Sequence, residues 1–333
     1  MSGTCSVRDR PPRIKGRGMR CATRKSGLPG FLYALACVSC IVQDQALARS
    51  DDGSKVDLKN GRTMFFAGGC ASCHATPASK KCDDPKIKDR FTLSGGRCLK
   101  TDFGTFYAPN ISPDREKGIG GWSGAQFIRA MKKGVSPRGE HYYPVFPYTS
   151  YQRMLKKDLL DLKAFLDTLP AVKTDVPGHD LLPPFRLRQS LVAWKWLFLD
   201  GQTFKPDPNK SPKLNRGAYL VEGPGHCAEC HSPRNIMGGI IAGKRFSGGP
   251  NPEGKGIVPN ITPHKSGIAD WSEADIVTAL ETGLTPSFDS FSGAMVEVQE
   301  NMAELRAEDR EAIAAYLKSL PPIPSSAGKP NKP

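Results

Sequence analysis

The pattern Cys-x-x-Cys-His occurs twice in this chain, and no other feature constrains its fold as strongly. It stands at residues 70–74 (CASCH) and again at residues 227–231 (CAECH). Two thiols three positions apart can each form a thioether with one porphyrin, and the following histidine can then bind the iron. The spacing therefore predicts two covalently bound haem c groups. The predicted attachment cysteines and proximal iron ligands are Cys70, Cys73, Cys227, Cys230, His74 and His231.

Two other kinds of site use a Cys-x-x-Cys pair. A zinc site would need a second pair of ligands at a suitable spacing, and neither copy has such a pair nearby. A thioredoxin-like redox pair usually follows a strand in a βαβ unit, and strand patterning is poor here. Two copies in repeated surroundings favour haem over both alternatives.

The remaining cysteines fall into two groups. Four of the ten precede residue 49, whereas Cys82 and Cys98 flank a single loop. In an oxidising compartment this pair would most simply form a disulfide. The alternative is that one of the two serves as a thiolate ligand of haem iron.

The N-terminal segment has the pattern of a secretory signal peptide. A basic stretch, residues 8–25, precedes an apolar run, residues 28–42, and an Ala-Leu-Ala sequence ends at Ala48. We expect residues 1–48 to be removed on export to the periplasm. Ala34-Leu35-Ala36 before Cys37 is a weaker, lipoprotein-like context, so a lipid anchor is the alternative. No later segment reaches about 18 apolar residues, the length that a membrane-spanning helix needs.

The net charge bounds the class of partner. The chain carries a formal charge of +14, of which residues 1–48 contribute +6. A moderately basic surface suits an acidic protein partner or an anionic membrane surface. Peripheral association with the membrane is therefore one prediction. No nucleic acid is expected as a partner, because the chain has no basic-aromatic groove or known nucleic-acid-binding motif.

After the signal segment the chain repeats one module. "APNISP" at residues 108–113 corresponds to "VPNITP" at residues 258–263, and similar last helices precede Pro170 and Pro321. Each module is predicted to be short helices separated by long loops. The predicted parts are a first domain (55–170), a Pro-rich linker with one helix (171–214), a second domain (215–322) and a polar tail (323–333).

Local signals place some of these helices. Ser123 with Gln126, and Ser272 with Asp275, have the spacing of capping boxes that start a middle helix. The linker helix is predicted at residues 185–199 and contains the apolar run "VAWKWLFL". We favour a helix wedged between the domains. The alternative is a docking surface for a membrane or a partner protein.

The sequence signal for the second axial ligand of each iron differs between the two modules. Met295 lies twelve residues after Gly283, before the last helix, and is predicted to bind the second iron, with Met302 as the alternative. The corresponding position of the first module is Phe146, which cannot bind iron. His141 is the predicted ligand there and Met154 the alternative, and an open first iron is the third interpretation.

With these residues in view, the chain resembles the cytochrome c subunits of membrane-associated alcohol, gluconate and aldehyde dehydrogenases of Gram-negative bacteria. The resemblance covers residues 55–322 and is carried by "FGTFYAPNISPD", "HYYPVFPYTSY" and "YLKSLPP". It implies an all-α fold of two tandem class I cytochrome c-like domains. Those relatives often carry three haems and a C-terminal membrane-binding segment, and many have methionine where Phe146 stands here.

The resemblance also implies a function. We expect a periplasmic electron-transfer subunit, not an enzyme in itself, that takes electrons from a dehydrogenase and passes them to a cytochrome, a quinone or an oxidase. The alternative is a dihaem redox enzyme of the peroxidase or thiosulfate-oxidising type, with an open or unusually ligated first haem. No nucleotide-binding glycine loop or nucleophile–base set points to another chemistry.

Overall fold

The computed structural model of the chain describes most of the sequence after residue 54, and the described residues belong to a single unit of the fold. The described residues are 55–79, 82, 86–252 and 256–326. The predicted signal peptide and residues 327–333 of the predicted tail lie outside them.

The first module consists of five helices whose ends follow from the sequence. Asp57 accepts hydrogen bonds from the N–H groups of Lys59 and Asn60, both at 3.0 Å, and so caps the first helix. The predicted capping box of Ser123 and Gln126 is confirmed at the start of the middle helix. The helices are α1 (Leu58–Ala67), α2 (Cys70–His74), α3 (Gly124–Lys133), α4 (Tyr148–Tyr151) and α5 (Lys156–Leu166).

The linker contains a shorter helix than the sequence predicts. Helix α6 spans Ser190–Phe198, and a separate 3₁₀ turn, Pro183–Arg186, precedes it. Leu187 has extended backbone angles, φ −80° and ψ 91°, and so separates the 3₁₀ turn from the regular helix. Helix α6 contacts both modules, because Leu191 packs in a cluster with Phe106 and the Trp194 Nε1–H donates to the Met237 carbonyl at 2.8 Å.

The second module repeats the order of the first. The capping box of Ser272 and Asp275 is confirmed, and Gly283 ends the same helix in the left-handed conformation at φ 79°. The helices are α7 (Pro212–Glu222), α8 (Ala228–His231), α9 (Glu273–Thr282), α10 (Ala294–Ala303) and α11 (Ala307–Ser319).

The first and last helices of each module cross at a glycine. A Cβ atom on Gly61 would collide with the backbone carbonyl of Asp161 in α5, and one on Gly217 would collide with that of Ala312 in α11. Only glycine allows this close approach. The same crossing therefore fixes the frame of both modules.

The fold is mainly helical, but the all-α prediction missed two small antiparallel sheets. Strands β1 (Cys98–Thr101) and β2 (Gly104–Tyr107) form a hairpin, and β3 (Asp180–Leu181) from the linker pairs with β2. In the second module β4 (Gly249–Pro250) pairs with β5 (Ile257–Val258). Strands this short lack the alternating pattern by which a strand is recognised in sequence.

One continuous apolar cluster runs through both modules. It includes Phe65 and Leu159 from the first module and Tyr219 and Ile313 from the second. Within the part of the chain that the structure describes, none of the helices has the length and apolar character needed to cross a membrane.

Candidate functional sites

Both predicted attachment motifs lie on short helices that begin at or directly after their first cysteine. Gly69 precedes α2 in the left-handed conformation at φ 55°, and Cys70 and Cys73 follow on one helical turn. In the second motif His226 takes a left-handed φ of 39°, and Cys227 precedes α8. None of the four motif cysteines is in a disulfide. Each motif therefore offers two thiols followed by an imidazole.

A backbone carbonyl fixes the tautomer of each motif histidine. The Nδ1–H of His74 donates to the Pro109 carbonyl, and the Nδ1–H of His231 donates to the Pro259 carbonyl, both at 2.8 Å. A carbonyl can only accept, so the ring proton sits on Nδ1 and the lone pair of Nε2 is left for a metal. His74 and His231 are thus both suited to be the proximal ligand of a haem iron.

Burial lowers the pKa of His74 and that of His231, although the hydrogen bond to the carbonyl acts in the opposite direction. Both rings are therefore neutral at pH 7, the form in which imidazole binds a metal.

The repeated Pro-Asn-Ile-Ser/Thr loops hold these carbonyls in place. Asn110 accepts from the Ser112 N–H at 2.9 Å and donates to the Val172 carbonyl at 2.7 Å. Asn260 accepts from the Thr262 N–H at 2.8 Å, and donates to a carbonyl after the last helix at 2.7 Å. Sequence reasoning identified the repeat but missed this role. The signal was the 150-residue separation of the two asparagines.

The first thiol of each motif is not poised to act as a thiolate. Burial, followed by the neighbouring Cys73, raises the pKa of the Cys70 thiol to about 12. Burial, followed by the charge of Glu222, raises the pKa of the Cys227 thiol to about 12 as well. Across the described ranges no group of three or more His, Cys, Asp and Glu side chains is placed to hold a metal ion among themselves. A protein-only zinc site is therefore disfavoured there.

The two attachment peptides are neighbours. The Gly68 carbonyl, just before the first motif, accepts from the Tyr151 hydroxyl at 3.2 Å and lies 3.4 Å from Nε2 of His226, just before the second motif. The rings of Tyr151 and His226 meet edge to face, with centroids 5.6 Å apart. Tyr151 thus contacts a residue just before each of the two motifs.

A second contact ties the first motif to helix α10 of the other module. Asn301 Nδ2 donates to the Ser72 hydroxyl at 2.9 Å, and the Arg97 guanidinium donates to the Ser72 carbonyl. Arg97 also pairs with Glu297 of α10 at 2.6 Å. The peptide between Cys70 and Cys73 is therefore bound to the helix that carries Met295.

Comparison with known proteins agrees with this geometry. The family model for cytochrome c matches residues 58–170 and 214–321, well over half of the chain. The chain belongs to the cytochrome c family. Its two cytochrome domains bind two haem c groups covalently.

Similar proteins include one that is named as a dihaem cytochrome. A "diheme cytochrome c-type" protein of Cereibacter sphaeroides is 50% identical over 80% of this chain and 87% of its own length. The cytochrome c subunit of a quinone-dependent alcohol dehydrogenase of Gluconacetobacter polyoxogenes is 32% identical, over 88% of this chain and 62% of its own. The cytochrome c subunit of a gluconate 2-dehydrogenase of Pantoea cypripedii is also 32% identical, over 86% of this chain and 64% of its own. The cytochrome thus spans less than two thirds of the last two relatives.

In the second cytochrome domain, Met295 and Met302 lie on α10 in different surroundings. Met295 is half-buried at the edge of the main apolar cluster, whereas Met302 is 5% exposed and belongs to its core. A side chain enclosed by its neighbours has less freedom to reach a metal, so the surroundings favour Met295. Its role as an iron ligand stays a prediction.

In the first cytochrome domain, His141 is held by the linker helix. Lys195 Nζ contacts three acceptors: the Lys133 carbonyl at 2.9 Å, the Gly134 carbonyl at 2.5 Å and Nδ1 of His141 at 3.1 Å. Three acceptors suit an ammonium group, which donates only, so Nδ1 accepts and the ring proton sits on Nε2. That tautomer disfavours His141 as an iron ligand.

The alternative ligand, Met154, is only 1% exposed within the main apolar cluster. Phe146, at the position that corresponds to Met295, packs its ring against Tyr151 with centroids 5.5 Å apart. The second axial ligand of the first iron therefore stays a prediction, with His141, Met154 and an open iron as its three interpretations.

Cys82 and Cys98 form a disulfide in the structure. It closes the loop between α2 and strand β1. A half-cystine has no thiolate, so neither residue is a haem ligand in this state.

Proposed function

We propose that this protein is a periplasmic dihaem cytochrome c that transfers electrons from a dehydrogenase to a cytochrome, a quinone or an oxidase. The observation that carries the proposal is the repeated histidine geometry. In both domains a Pro carbonyl holds the motif imidazole neutral with Nε2 unprotonated. A redox Cys-x-x-Cys pair has no need of that arrangement, and a structural zinc ion would need further protein ligands that the described residues do not bring together.

Specific residues would hold the two groups. Cys70 and Cys73 would form the thioethers of the first haem and Cys227 and Cys230 those of the second. The proximal ligands would be His74 and His231, with Met295 on the far side of the second iron. Each haem, when bound, supplies an iron that takes up and releases one electron.

A relay through the chain is supported by the contact of the two attachment peptides. Gly68 and His226 precede the two motifs and lie within 3.4 Å of each other. An electron that enters one domain therefore has an acceptor bound to an adjacent peptide of the same chain.

The dehydrogenase partner is supported by the names of the relatives, which are cytochrome subunits of alcohol, gluconate and fructose dehydrogenases. The periplasm is supported by the export pattern of residues 1–48 and by the Cys82–Cys98 disulfide, since disulfides persist in oxidising compartments.

The test uses the haem-loaded protein and the candidate dehydrogenases of its own organism, each tested in turn. Mass spectrometry of the denatured chain is expected to show the mass of two haems. Under anaerobic conditions both haems should become reduced when dehydrogenase and its substrate are added together. Reduction by the substrate alone, without the dehydrogenase, would contradict an electron-transfer role.

A matched pair of variants would locate the entry of electrons. Replacement of both motif cysteines by alanine, at positions 70 and 73 or at positions 227 and 230, leaves one haem. If electrons enter through one domain, one variant should keep rapid reduction and the other should lose it.

A second candidate function rests on the first domain. Because Phe146 replaces a ligand and Lys195 occupies Nδ1 of His141, a dihaem redox enzyme with an open first iron is the alternative. A high-spin ferric signal at rest and rapid reaction with peroxide would favour it. Two low-spin ferric signals would contradict it.

A further inference from the structure

Helix α6 exposes apolar side chains and buries its one charged residue, the reverse of the usual arrangement. A helix on the surface of a water-soluble protein buries apolar side chains and exposes charged ones. Here the charged residue, Lys195, is 7% exposed, while Val192, Trp196 and Leu197 are 53%, 89% and 56% exposed. An exposed apolar helix face of this kind indicates contact with a partner or a membrane.

The reversal is built into the contacts of the helix. The Lys195 ammonium is satisfied inside, where it reaches two carbonyls and His141 and lies 4.7 Å from the centre of the Tyr148 ring. Leu191, one turn earlier on the same side, is buried with Tyr143 and Leu181. The orientation of α6 is therefore fixed, and Trp196 cannot turn inward without exposing Lys195.

A loop of the second domain extends the apolar surface. Ile236 is fully exposed and Met237 half exposed. Trp194 donates to the Met237 carbonyl, and a Cβ atom on the neighbouring Gly238 would lie 4.0 Å from the ring of Phe103. Phe103 in turn packs edge to face on Phe185, before α6, with centroids 4.8 Å apart. We call the resulting surface the linker face; its exposed apolar residues are Leu187, Val192, Trp196, Leu197, Ile236 and Met237.

The charged residues within the two segments of the linker face have one sign. Residues 181–199 and 232–246, which form it, contain six Lys and Arg and no Asp or Glu. Arg186 and Lys244 are exposed, and Arg186 lies 4.0 Å from the Asp180 carboxylate. Arg234 and Arg245 pair with Glu229 and Glu222, and all three carboxylates come from outside these segments. An apolar surface with cations at its edges is complementary to an anionic lipid surface.

The side chains of α6 offer few hydrogen-bonding groups, which also favours a lipid surface over a protein partner. A protein–protein interface carries about one hydrogen bond per 100–200 Å². From Leu191 to Leu199 the only polar side chains are the buried lysine and the indole N–H of two tryptophans, one of which is already bonded. Tryptophan is a residue of membrane interfaces, with an apolar body and one polar atom.

We propose that the linker face seats this protein on an anionic phospholipid bilayer. The nine residues of α6 extend about 13 Å, so the helix would lie in the headgroup region and not cross the roughly 30 Å hydrocarbon core. The proposal does not depend on the direction or partner of electron transfer.

The test measures binding of the haem-loaded protein, purified from cells with its N-terminus read by mass spectrometry, to sedimented vesicles. Vesicles of phosphatidylcholine alone are compared with vesicles that also contain phosphatidylglycerol. We expect binding to the anionic vesicles, weakened by salt. The double variant Val192→Ser/Trp196→Ser should bind the anionic vesicles at least about tenfold more weakly, because two apolar side chains no longer leave water on binding.

A matched control is Phe288→Ser. Phe288 is 90% exposed but lies outside both segments of the linker face, so its replacement should leave vesicle binding unchanged. The haem spectrum of each variant reports folding. In a charge variant, Arg186→Gln/Lys244→Gln, the preference for anionic over neutral vesicles should shrink.

Three outcomes would overturn the proposal. One is no binding of the unaltered protein to anionic vesicles at low salt. Another is equal binding by the unaltered protein and the Val192→Ser/Trp196→Ser variant. The third is absence of vesicle binding together with a complex with the dehydrogenase that Trp196→Ser abolishes, which would make the linker face a protein interface.

Discussion

At the scale of single residues, the chemistry of each site depends on a backbone carbonyl as much as on the motif. The carbonyls of Pro109 and Pro259 stand at the same 2.8 Å from Nδ1 of His74 and His231. A hydrogen bond of this kind orients the ring and increases its basicity as a ligand. The two domains thus present the same proximal side, and differences between the haems must come from the other side of each iron.

Replacement of Met295 by leucine tests the second axial ligand. A methionine sulfur raises the potential of haem iron, so its loss should lower the midpoint potential of one haem by roughly 0.1–0.3 V, part of the ~0.8 V that axial ligands span. A spectroelectrochemical titration would measure it, and the same haem should become high-spin.

The matched control for that variant is Met302→Leu. Met302 lies on the same helix but in the apolar core, so this replacement should leave both potentials unchanged. A shift with Met302→Leu and none with Met295→Leu would reverse the assignment.

The sequence allowed prediction of the cysteines and histidines because their spacing is set by covalent chemistry. The partners of those residues could not be predicted, since Pro109 and Lys195 come from loops and helices far along the chain. His141 illustrates the difference. It is chemically able to bind iron, but its tautomer depends on a lysine 54 positions away.

At the scale of elements, helix α10 links the domains. It carries Met295, pairs with Arg97 through Glu297 and bonds to Ser72 through Asn301. Sequence reasoning placed Met295 before the last helix but did not predict helix α10. Its contacts with the first attachment peptide were not predictable, because residues 200 or more positions apart supply them.

Removal of the Asn301 side chain tests this link. Asn301→Ala loses the bonds to the Ser72 hydroxyl at 2.9 Å and the Glu297 carbonyl at 2.6 Å. Because Asn301 is buried, we expect the free energy of unfolding to fall by about 1–3 kcal/mol in a denaturant titration. Gln299→Ala is the control. Gln299 bonds only within the second domain, to the Glu281 carbonyl, on an exposed part of the helix, and its loss should cost about half of that or less.

A double-mutant cycle separates the contact between domains from general loss of stability. If Ser72 and Asn301 interact as the structure shows, Ser72→Ala and Asn301→Ala should be non-additive by roughly 0.5 kcal/mol or more. Strict additivity would contradict a direct link between the first motif and α10.

At the scale of the whole molecule, the two domains share one core. The apolar cluster that holds Phe65 and Leu159 also holds Tyr219 and Ile313, and the Tyr219 hydroxyl donates to the Asp158 carboxylate across the domains. The internal repeat in the sequence predicted two modules. It did not reveal the shared core, because the apolar positions of each copy suffice for a separate domain. We expect contacts of this extent to couple the unfolding of the two domains.

The haem-loaded protein should therefore unfold in one calorimetric transition. The sharper test removes the second haem by replacing Cys227 and Cys230 with alanine. Because the core is shared, the first haem's visible absorbance should also report unfolding at a temperature several °C lower, about 2–4 °C for each kcal/mol lost. The reciprocal variant, with Cys70 and Cys73 replaced, should lower the transition of the second domain in the same way. Two transitions, with the domain that keeps its haem unchanged, would show that the domains fold independently and that their contact serves only to bring the attachment peptides together.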